Sequence, residues 1–161
     1  MKKQTSYGPQ VHANSSNQAL DRIINFFSEE RREQLLMDMS LNIRALISQR
    51  LIPREAGAGR IAAMEIMLNS PLVQDLIFRG EVAKIKEVMS RSNRLGMNTF
   101  DQALFDLYEK GIVSYEDALR NADSKNELRL RVKLESKREN KPVEGDGDLM
   151  IVEDEAEGRG R

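Results

Sequence analysis

The chain has 161 residues, of which 40% are hydrophobic and 32% charged, a balance typical of a globular protein with one core. It contains no cysteine, which excludes disulfides and thiolate metal sites, and no apolar run near the roughly 18 residues that a membrane-spanning helix needs. Residues 1–134 carry 20 basic and 17 acidic side chains, whereas residues 144–157 carry seven acidic and no basic ones. This is not the basic footprint of a nucleic-acid-binding protein, and we expect a cytoplasmic protein without a secretory signal.

The first half of the chain predicts two helices. Residues 1–11 show no periodicity, and polar residues at 14–16 can cap a helix that follows. Ser28 can cap a second helix. Glu29 and Glu30 follow it, and negative charge is favourable near the positive end of a helix. Apolar residues recur at helical spacing in both segments: Leu20, Ile23, Ile24 and Phe27 in the first, and Leu35, Leu36, Met39, Ile43 and Leu46 in the second.

A hairpin of two strands is predicted next. Residues 47–53 form a short apolar segment that proline ends, and residues 60–68 alternate in side-chain character. Gly57 and Gly59 lie between them, where a tight turn needs glycine.

From Ser70 onward the pattern predicts short helices. Ser70 followed by Pro71 is a typical helix start, and residues 82–93 predict a further helix. Three pairs with the spacing of a capping box predict helices at 99–110, 114–122 and 124–135: Thr99 with Gln102, Ser114 with Asp117, and Ser124 with Glu127. Beyond residue 136 the acidic, glycine-containing sequence predicts a disordered tail.

The residues for a self-contained catalytic or metal site are scarce. His12 is the one histidine of the sequence, and a lone histidine usually has a surface or packing role. The phosphate-binding pattern G-x-x-x-x-G-K-[ST] is absent, and residues 57–60 are interpreted as a hairpin turn. Residues 149–155 have the apolar-then-acidic pattern of a Walker B strand, but they lie in the acidic tail. We interpret that pattern as coincidental; the alternative is a short motif that docks onto a partner by strand addition.

Five segments resemble, in order, the pilus retraction ATPases of the PilT/PilU family. They are His12-Ala13-Asn14 with the helix after it, residues 41–53 with Ser48-Gln49-Arg50-Leu51, Gly59-Arg60 followed by residues 63–67, residues 71–81, and residues 96–104. The sequence of residues 71–81, with Gln74, Asp75 and Phe78, is more similar to the PilU branch of the family than to the PilT branch. The resemblance implies mixed α/β content, mostly helical: the C-terminal portion of a RecA-like P-loop ATPase domain, with a His-box helix and a β-hairpin, followed by a small helical bundle.

The same resemblance divides the chain into four parts. Residues 1–11 do not match, 12–69 correspond to the ATPase core, 70–135 to a C-terminal helical subdomain, and 136–161 to the acidic tail. Walker A, the acidic box and Walker B of the family precede the His box and are not found in these residues. We therefore expect a truncated member that is unable to hydrolyse ATP alone. We also expect the apolar surfaces of residues 20–27 and of the hairpin to be uncovered, which implies marginal stability or oligomerisation.

The resemblance also assigns residues to roles. His12 takes the place of a histidine near the nucleotide, and Arg44 and Arg50 are candidate anion partners, although packing roles are the commoner use of such arginines. The retraction motif comprises Pro71, Leu72, Val73, Asp75, Leu76, Ile77, Arg79 and Glu81, whose apolar side is interpreted as core and whose other side as a surface that transmits motion. The remaining family signature comprises Arg50, Arg60, Glu65, Gly96, Met97, Thr99, Asp101 and Gln102. Asp101 is interpreted as a first-turn helix residue, and no metal site is predicted.

Three functions are compatible with this reading. The first is a subunit of a hexameric motor that uses ATP and Mg²⁺ at the inner-membrane platform of type IV pili. The second is a non-catalytic module that binds full-length motor subunits. The third is a fragment of a type II secretion or pilus assembly ATPase, which is disfavoured because those ATPases carry a tetracysteine zinc motif and this chain has no cysteine.

Overall fold

The computed structural model describes residues 15–138. Two strands follow two helices, and five further helices complete this part of the chain. The elements are α1 (Ser16–Phe26), α2 (Glu29–Asn42), β1 (Ala45–Pro53), β2 (Arg60–Leu68), α3 (Pro71–Phe78), α4 (Ile85–Arg91), α5 (Phe100–Glu109), α6 (Tyr115–Asn121) and α7 (Lys125–Glu135). Short 3₁₀ helices at Val82–Lys84 and Asn93–Leu95 flank α4. None of the helices within residues 15–138 is long and apolar enough to cross a membrane.

Most helix starts are fixed by the local signals in the sequence. The Ser70 hydroxyl accepts the backbone N–H of Val73, with Pro71 as the first helical residue of α3. At α5, the Thr99 hydroxyl accepts the Gln102 N–H at 3.3 Å while the Gln102 side chain accepts the Thr99 N–H at 3.0 Å, a complete capping box. Ser28 precedes α2 but makes no side-chain capping bond.

Thr99, which caps α5, and Ser28, which precedes α2 without a capping bond, give a matched pair of substitutions. Thr99→Ala should lower the free energy of unfolding by about 1 kcal/mol, because it leaves an N-terminal N–H of α5 without its acceptor in a buried position. Ser28→Ala should change it by no more than about 0.3 kcal/mol, because no capping bond is lost. Urea denaturation of the two variants measures the difference, and equal effects would show that the cap at α5 contributes nothing specific.

The hairpin pairs β1 with β2 in antiparallel register, from Ala45 opposite Leu68 to Pro53 opposite Arg60. On the far edge of β2, Ile66 forms an isolated antiparallel bridge with Asn98. Among residues 15–138, no strand pairs with the other edge of β1. The hairpin therefore has one edge that is partly covered and one that is open.

The core lies on one face of the hairpin and consists of two apolar clusters. Met67 joins the first cluster, which unites residues of α1, α2, α3 and α4. Ile52 and Ala63 join the second cluster, which unites residues of α5, α6 and α7. The first cluster contains residues from both sides of position 70, and the predicted division into a core part and a helical subdomain stays a prediction.

Two predicted boundaries were wrong. Leu46, expected on the apolar face of the second helix, lies in β1, because α2 ends at Asn42. The Asn69 side-chain amide donates to the carbonyl oxygens of Ser40 and Ile43, both at 2.8 Å. It therefore supplies hydrogen bonds to carbonyl groups at the end of α2, although it lies at least 26 residues further along the chain. The helix expected over 82–93 is α-helical only at Ile85–Arg91.

The expectation of uncovered apolar surface holds for only part of the predicted region. Leu20 and Ile24 of α1 are buried in the first cluster. Phe26 at the end of α1 is 87% exposed, and Ile47 and Leu51 on β1 are 64% and 52% exposed. Within the region that the prediction concerned, the exposed apolar surface therefore lies at the end of α1 and on the outward face of the hairpin.

Candidate functional site

The predicted signature at residues 96–102 forms a tight connection onto the edge of β2. Gly96 has a φ of +87°, a left-handed conformation that strains other residues. Met97 is buried in the first cluster. Asn98 exchanges two backbone hydrogen bonds with Ile66 at 2.8 and 2.9 Å, and its side chain donates to the Met64 carbonyl at 3.2 Å. The segment therefore fixes the start of α5 against the hairpin.

Asp101, in the first turn of α5, holds the loop that precedes α7. Its carboxylate accepts the backbone N–H groups of Asp123 at 2.8 Å and Ser124 at 3.2 Å. The Lys86 ammonium on α4 lies 3.7 Å from the same carboxylate. Asp101 is a buried residue, so these partners satisfy a charge that would otherwise be costly to bury. This arrangement agrees with the first-turn interpretation and adds a tertiary contact that the sequence did not indicate.

Arg50 on β1 meets the same loop from the other side. Its guanidinium donates to the Asn121 carbonyl and to the Asp123 carboxylate, each at 2.6 Å, and lies 3.9 Å from the centre of the Phe100 ring. Both of these donor nitrogens are used within the fold. The geometry therefore favours the packing interpretation of Arg50 over that of an anion partner.

Asp123 is the centre of this charged cluster, and nothing in its local sequence singled it out. Partial burial raises the pKa of its carboxyl, but the hydrogen bonds and charges of Lys86 and Arg50 outweigh burial and hold the pKa below the ordinary 3.8. The carboxylate is thus favoured in the folded state, and its ion pairs with Lys86 and Arg50 measure 2.7 and 2.6 Å.

The lowered pKa of Asp123 predicts a pH dependence of stability. A carboxyl whose pKa is lower in the folded state stabilises the fold above its unfolded-state pKa, and that contribution is lost as the pH falls through the folded-state value. We expect the free energy of unfolding to fall as the pH drops below about 4, and Asp123→Asn to flatten that fall. Urea titrations between pH 6 and pH 3 on the two proteins provide the measurement, and identical slopes would contradict the assignment.

The side chains of Glu65 and Gln102 each connect two secondary-structure elements through a hydrogen bond. Glu65 is a buried residue on β2 whose carboxylate accepts the backbone N–H of Ser16 at 2.6 Å, at the N-terminus of α1. Gln102 completes its capping box and also donates to the Ser90 carbonyl at 2.9 Å, which ties α5 to α4. Arg60, in contrast, is exposed at the start of β2. His12 lies outside the described residues.

Helix α3, which carries the predicted retraction motif, has two distinct faces. Val73, Leu76 and Ile77 are buried in the first cluster. The outward face holds Leu72, which is 54% exposed, and an ion pair between Asp75 and Arg79 at 3.1 Å. Both of the interpretations considered for this segment, core and surface, are therefore physically available on opposite faces.

A groove of about 300 Å³ lies between α2 and the outward face of α3. We call it the α2–α3 groove. Its apolar lining includes Met37, Leu41 and Phe78, which are 46%, 52% and 52% exposed. The full lining comprises Met37, Ser40, Leu41, Pro71, Gln74, Asp75 and Phe78. Sequence periodicity identified the inward side of α2, but the groove depends on how the two helices pack.

Glu81 follows α3 and forms an exposed ion pair with Lys84 at 2.6 Å. The hydrogen bond from Lys84 lowers the pKa of Glu81 below its ordinary value. This residue of the predicted motif therefore faces solvent as a carboxylate beside a basic partner.

A larger depression of about 470 Å³ lies between α4, α5 and α7. Asp101 and Gln102 contribute to its wall, together with Lys86, Glu127 and Arg131. These side chains come from three helices, so their proximity is not visible in the sequence.

The turn between the two strands is not a phosphate-binding loop. Gly57 and Gly59 have positive φ angles and form the turn between two strands, whereas a phosphate-binding loop leads into a helix. Within residues 15–138, no group of three or more His, Cys, Asp or Glu side chains is placed to hold a metal ion. Asp101 and Arg50 are engaged with the 121–124 loop, as described above.

Comparison with known proteins identifies type IV pilus ATPases among the relatives of this chain. No family model matches the chain. It is 54% identical over 126 residues to the type IV pilus ATPase PilU of Pseudomonas aeruginosa, an alignment that covers 78% of this chain and 33% of the relative. It is 34% identical over 112 residues to the type IV pilus retraction ATPase PilT of the same organism, covering 70% of this chain and 32% of the relative.

The structural comparison agrees with the sequence comparison. The crystal structure of the pilus retraction motor PilT with bound ADP matches with a TM-score of 0.67 and 28% identity, over 74% of this chain and 33% of that chain. The chain thus spans about one third of the length of the curated relatives it matches, which fits the C-terminal part of these ATPases. The chain therefore belongs to the PilT/PilU family of type IV pilus ATPases and represents the C-terminal part of its RecA-like fold.

Proposed function

We propose that this chain is a component of the type IV pilus retraction motor and contributes to it through protein contacts, not through a phosphate site of its own. The observation that carries the proposal is the 54% identity to PilU, combined with an α3 segment whose inward face is packed and whose outward face lines an exposed apolar groove. A groove of exposed apolar side chains with a polar rim is typical of a surface that binds another protein.

The catalytic contribution is proposed to come from other residues of the motor. Phosphoryl transfer requires a loop of backbone N–H groups and a lysine around the phosphates, with Mg²⁺ bridging them. The 161 residues contain no sequence pattern of such a loop, and the Gly57–Gly59 turn connects two strands. ATP and Mg²⁺ therefore belong to the proposal as cofactors of the assembled motor. The role of His12 near the nucleotide stays a prediction.

The partners in this proposal are subunits of the same motor. A ring of six subunits at the cytoplasmic face of the inner membrane, acting on the pilus platform protein, is what the family resemblance implies. The alternative function, a non-catalytic module that binds full-length motor subunits, uses the same groove. Both predict binding to a PilU-type subunit, and they differ in whether the bound chain supports retraction.

The binding surface can be tested with two matched variants. Phe78→Asp places a charge in the α2–α3 groove, whereas Leu130→Asp places one on α7, where the side chain is 57% exposed. Because both side chains are more than half exposed, both variants should fold. We expect Phe78→Asp to weaken binding to immobilised PilU by about ten-fold or more, and Leu130→Asp to leave it within about two-fold.

Three outcomes separate the possibilities. Loss of binding in Phe78→Asp alone supports the groove. Equal binding by both variants would overturn the groove as the contact surface. No binding of the unmodified chain to PilU would overturn both the motor role and the alternative interaction module. If the unmodified chain binds, a twitching assay distinguishes a motor component, which supports retraction, from an interaction module, which does not.

A further inference from the structure

The open edge of β1 presents backbone groups that pair with no strand among residues 15–138. In an antiparallel pair, residues alternate between those that bond to the neighbouring strand and those whose N–H and C=O point away from it. Ile66 exchanges its backbone bonds with Asn98, away from β1, so its partner Ile47 directs its own groups to the open edge. By the same alternation, Gln49 and Leu51 also present their backbone groups there. Such an edge is a template for a further strand.

The sequence of β1 does not carry the usual protection of an edge strand. Natural edge strands are kept from pairing by charged side chains, prolines or bulges. Arg50 is the one charged residue among positions 45–53, and its guanidinium is turned into the fold, where it donates to Asn121 and Asp123. The one proline, Pro53, stands at the last position of the strand, and the pairing with β2 runs without a bulge. The length of β1 is therefore open to a partner strand.

The outward face of the hairpin is apolar up to this edge. Ile47 and Leu51 are 64% and 52% exposed on that face, and the exposed, uncharged Gln49 lies between them. Directly paired residues of two strands share a face. The partners of these three residues on β2 are also uncharged: Ile66, Met64 and Ala62. A strand that fits the edge must therefore bring apolar side chains on the same face.

We propose that the occupant is β1 of a second copy of this chain, paired antiparallel about a two-fold axis at Gln49. In this register residue 45 lies opposite residue 53 of the second copy, so all nine residues of each strand are paired. Ile47 lies opposite Leu51 of the second copy, and the two Gln49 side chains, which carry both donors and acceptors, lie opposite each other. A shift by two residues in either direction would place Gln49 opposite an apolar residue and leave part of both strands unpaired. The strand is therefore complementary to itself in one register.

A two-fold pair of this kind is closed. Both copies use the same surface, and the strands form one sheet in the order β2, β1, β1, β2. The edges that remain are those of β2, which the bridge between Ile66 and Asn98 partly covers. We therefore expect association to stop at two copies. It uses different residues from the α2–α3 groove and is independent of the proposed motor function.

Charged side chains at the two ends of the proposed interface set its salt dependence. Arg44 lies opposite Arg54 of the second copy, and Arg60 at the start of β2 adds a further positive charge at the same end; all three are exposed. The neighbouring acidic residue, Glu55, is paired with Arg138 within the fold. The ends therefore repel each other, and the pair should tighten as salt screens that repulsion.

Because the sequence has no cysteine, cross-linking of the full chain can identify the register. Gln49→Cys alone should form a disulfide between two copies, since opposite residues of a bonded antiparallel pair have Cα atoms about 5.5 Å apart. Ile47→Cys alone and Leu51→Cys alone should not, since two copies of either position lie roughly 14 Å apart. An equal mixture of these last two proteins should cross-link at least about ten-fold faster than either protein by itself.

Two further variants test the axis without cysteine chemistry. Gln49→Lys places two ammonium groups opposite each other and should weaken the pair by about ten-fold or more. Gln49→Thr keeps a neutral side chain that suits a strand and should leave the affinity within about three-fold. Both should fold, because the position is exposed. Sedimentation equilibrium of the full chain measures the affinities, and that of the unmodified chain should rise with salt concentration.

Amide exchange distinguishes a second copy from other occupants. Exchange at Ile47, Gln49 and Leu51 should slow as the protein concentration rises, whereas Ser48 and Arg50, which bond to β2, should not change. This pattern, together with cross-linking in the mixture, supports the proposal. Equal cross-linking in the mixture and in the single variants would overturn the antiparallel register. A chain that stays monomeric, that associates without these cross-links, or whose edge amides are protected at every concentration would overturn the second copy as the occupant.

Discussion

Replacing Phe100 with alanine should lower the free energy of unfolding by about 3–5 kcal/mol, the largest effect of any single change considered for this chain. Phe100 is the first residue of α5 and is fully buried in the second apolar cluster. The change removes the ring from a position between the hairpin and α5–α7, and the surrounding side chains cannot fill the space. It also removes the ring face on which the Arg50 guanidinium lies at 3.9 Å.

Phe26→Ala is the matched control for this experiment. The same side chain is removed from a position that is 87% exposed, so the free energy of unfolding should change by no more than about 0.5 kcal/mol. Thermal and urea unfolding of the two variants measure the difference. A loss below about 1 kcal/mol in Phe100→Ala would contradict its placement in the core.

Replacing Asp101 with alanine should cost about 2–4 kcal/mol, because it leaves two backbone N–H groups without their charged acceptor in a partly buried site. Those groups belong to Asp123 and Ser124, and the Lys86 ammonium loses a neighbouring carboxylate as well. The loop before α7 should loosen first. Amide exchange of Asp123 and Ser124 should therefore accelerate more than the exchange of core amides in α5.

Asp106→Ala provides the control on the same helix, since Asp106 is exposed. We expect a change of no more than about 0.5 kcal/mol for that variant. Asp101→Asn should fall between the two, since it keeps an acceptor oxygen but loses the charge. Asp101→Ala with unchanged stability would contradict the role of its carboxylate in holding this loop.

Those parts of the fold that depend on short-range signals could be predicted from the sequence. The cap at Ser70, the capping box at Thr99 and the glycine-containing turn between the strands involve residues within a few positions of each other. The alternation along 60–68 likewise predicted the strand β2.

Contacts between distant residues explain what the sequence did not predict. Helix α2 ends at Asn42, where the distant Asn69 side chain bonds to its last turn. The helical spacing of Leu46 therefore predicted a longer helix than the structure has. The charged cluster around Asp123 combines β1, α4 and the 121–124 loop, and its members are 37 and 73 residues apart along the chain. The α2–α3 groove arises in the same way, from the packing angle of two helices whose own patterns predict only their inward sides.

Most of the family signature residues have partners within the fold. Arg50, Glu65, Asp101 and Gln102 each join two or more elements, as the distances above show. In this part of the family's fold, the signature is therefore explained by packing and hydrogen bonding among the helices and the hairpin. In our proposal, what the described residues add for function is the outward face of α3 and the groove beside it.

We propose that this chain shares the C-terminal part of the retraction ATPase fold without holding the nucleotide itself. Isothermal titration of the full chain with Mg²⁺ and ATP, alongside a measurement of phosphate release, tests it most directly, with PilT as the positive control because its structure contains ADP. We predict no saturable binding up to about 1 mM nucleotide and no turnover above the background. A dissociation constant below about 100 µM accompanied by phosphate release would contradict the claim.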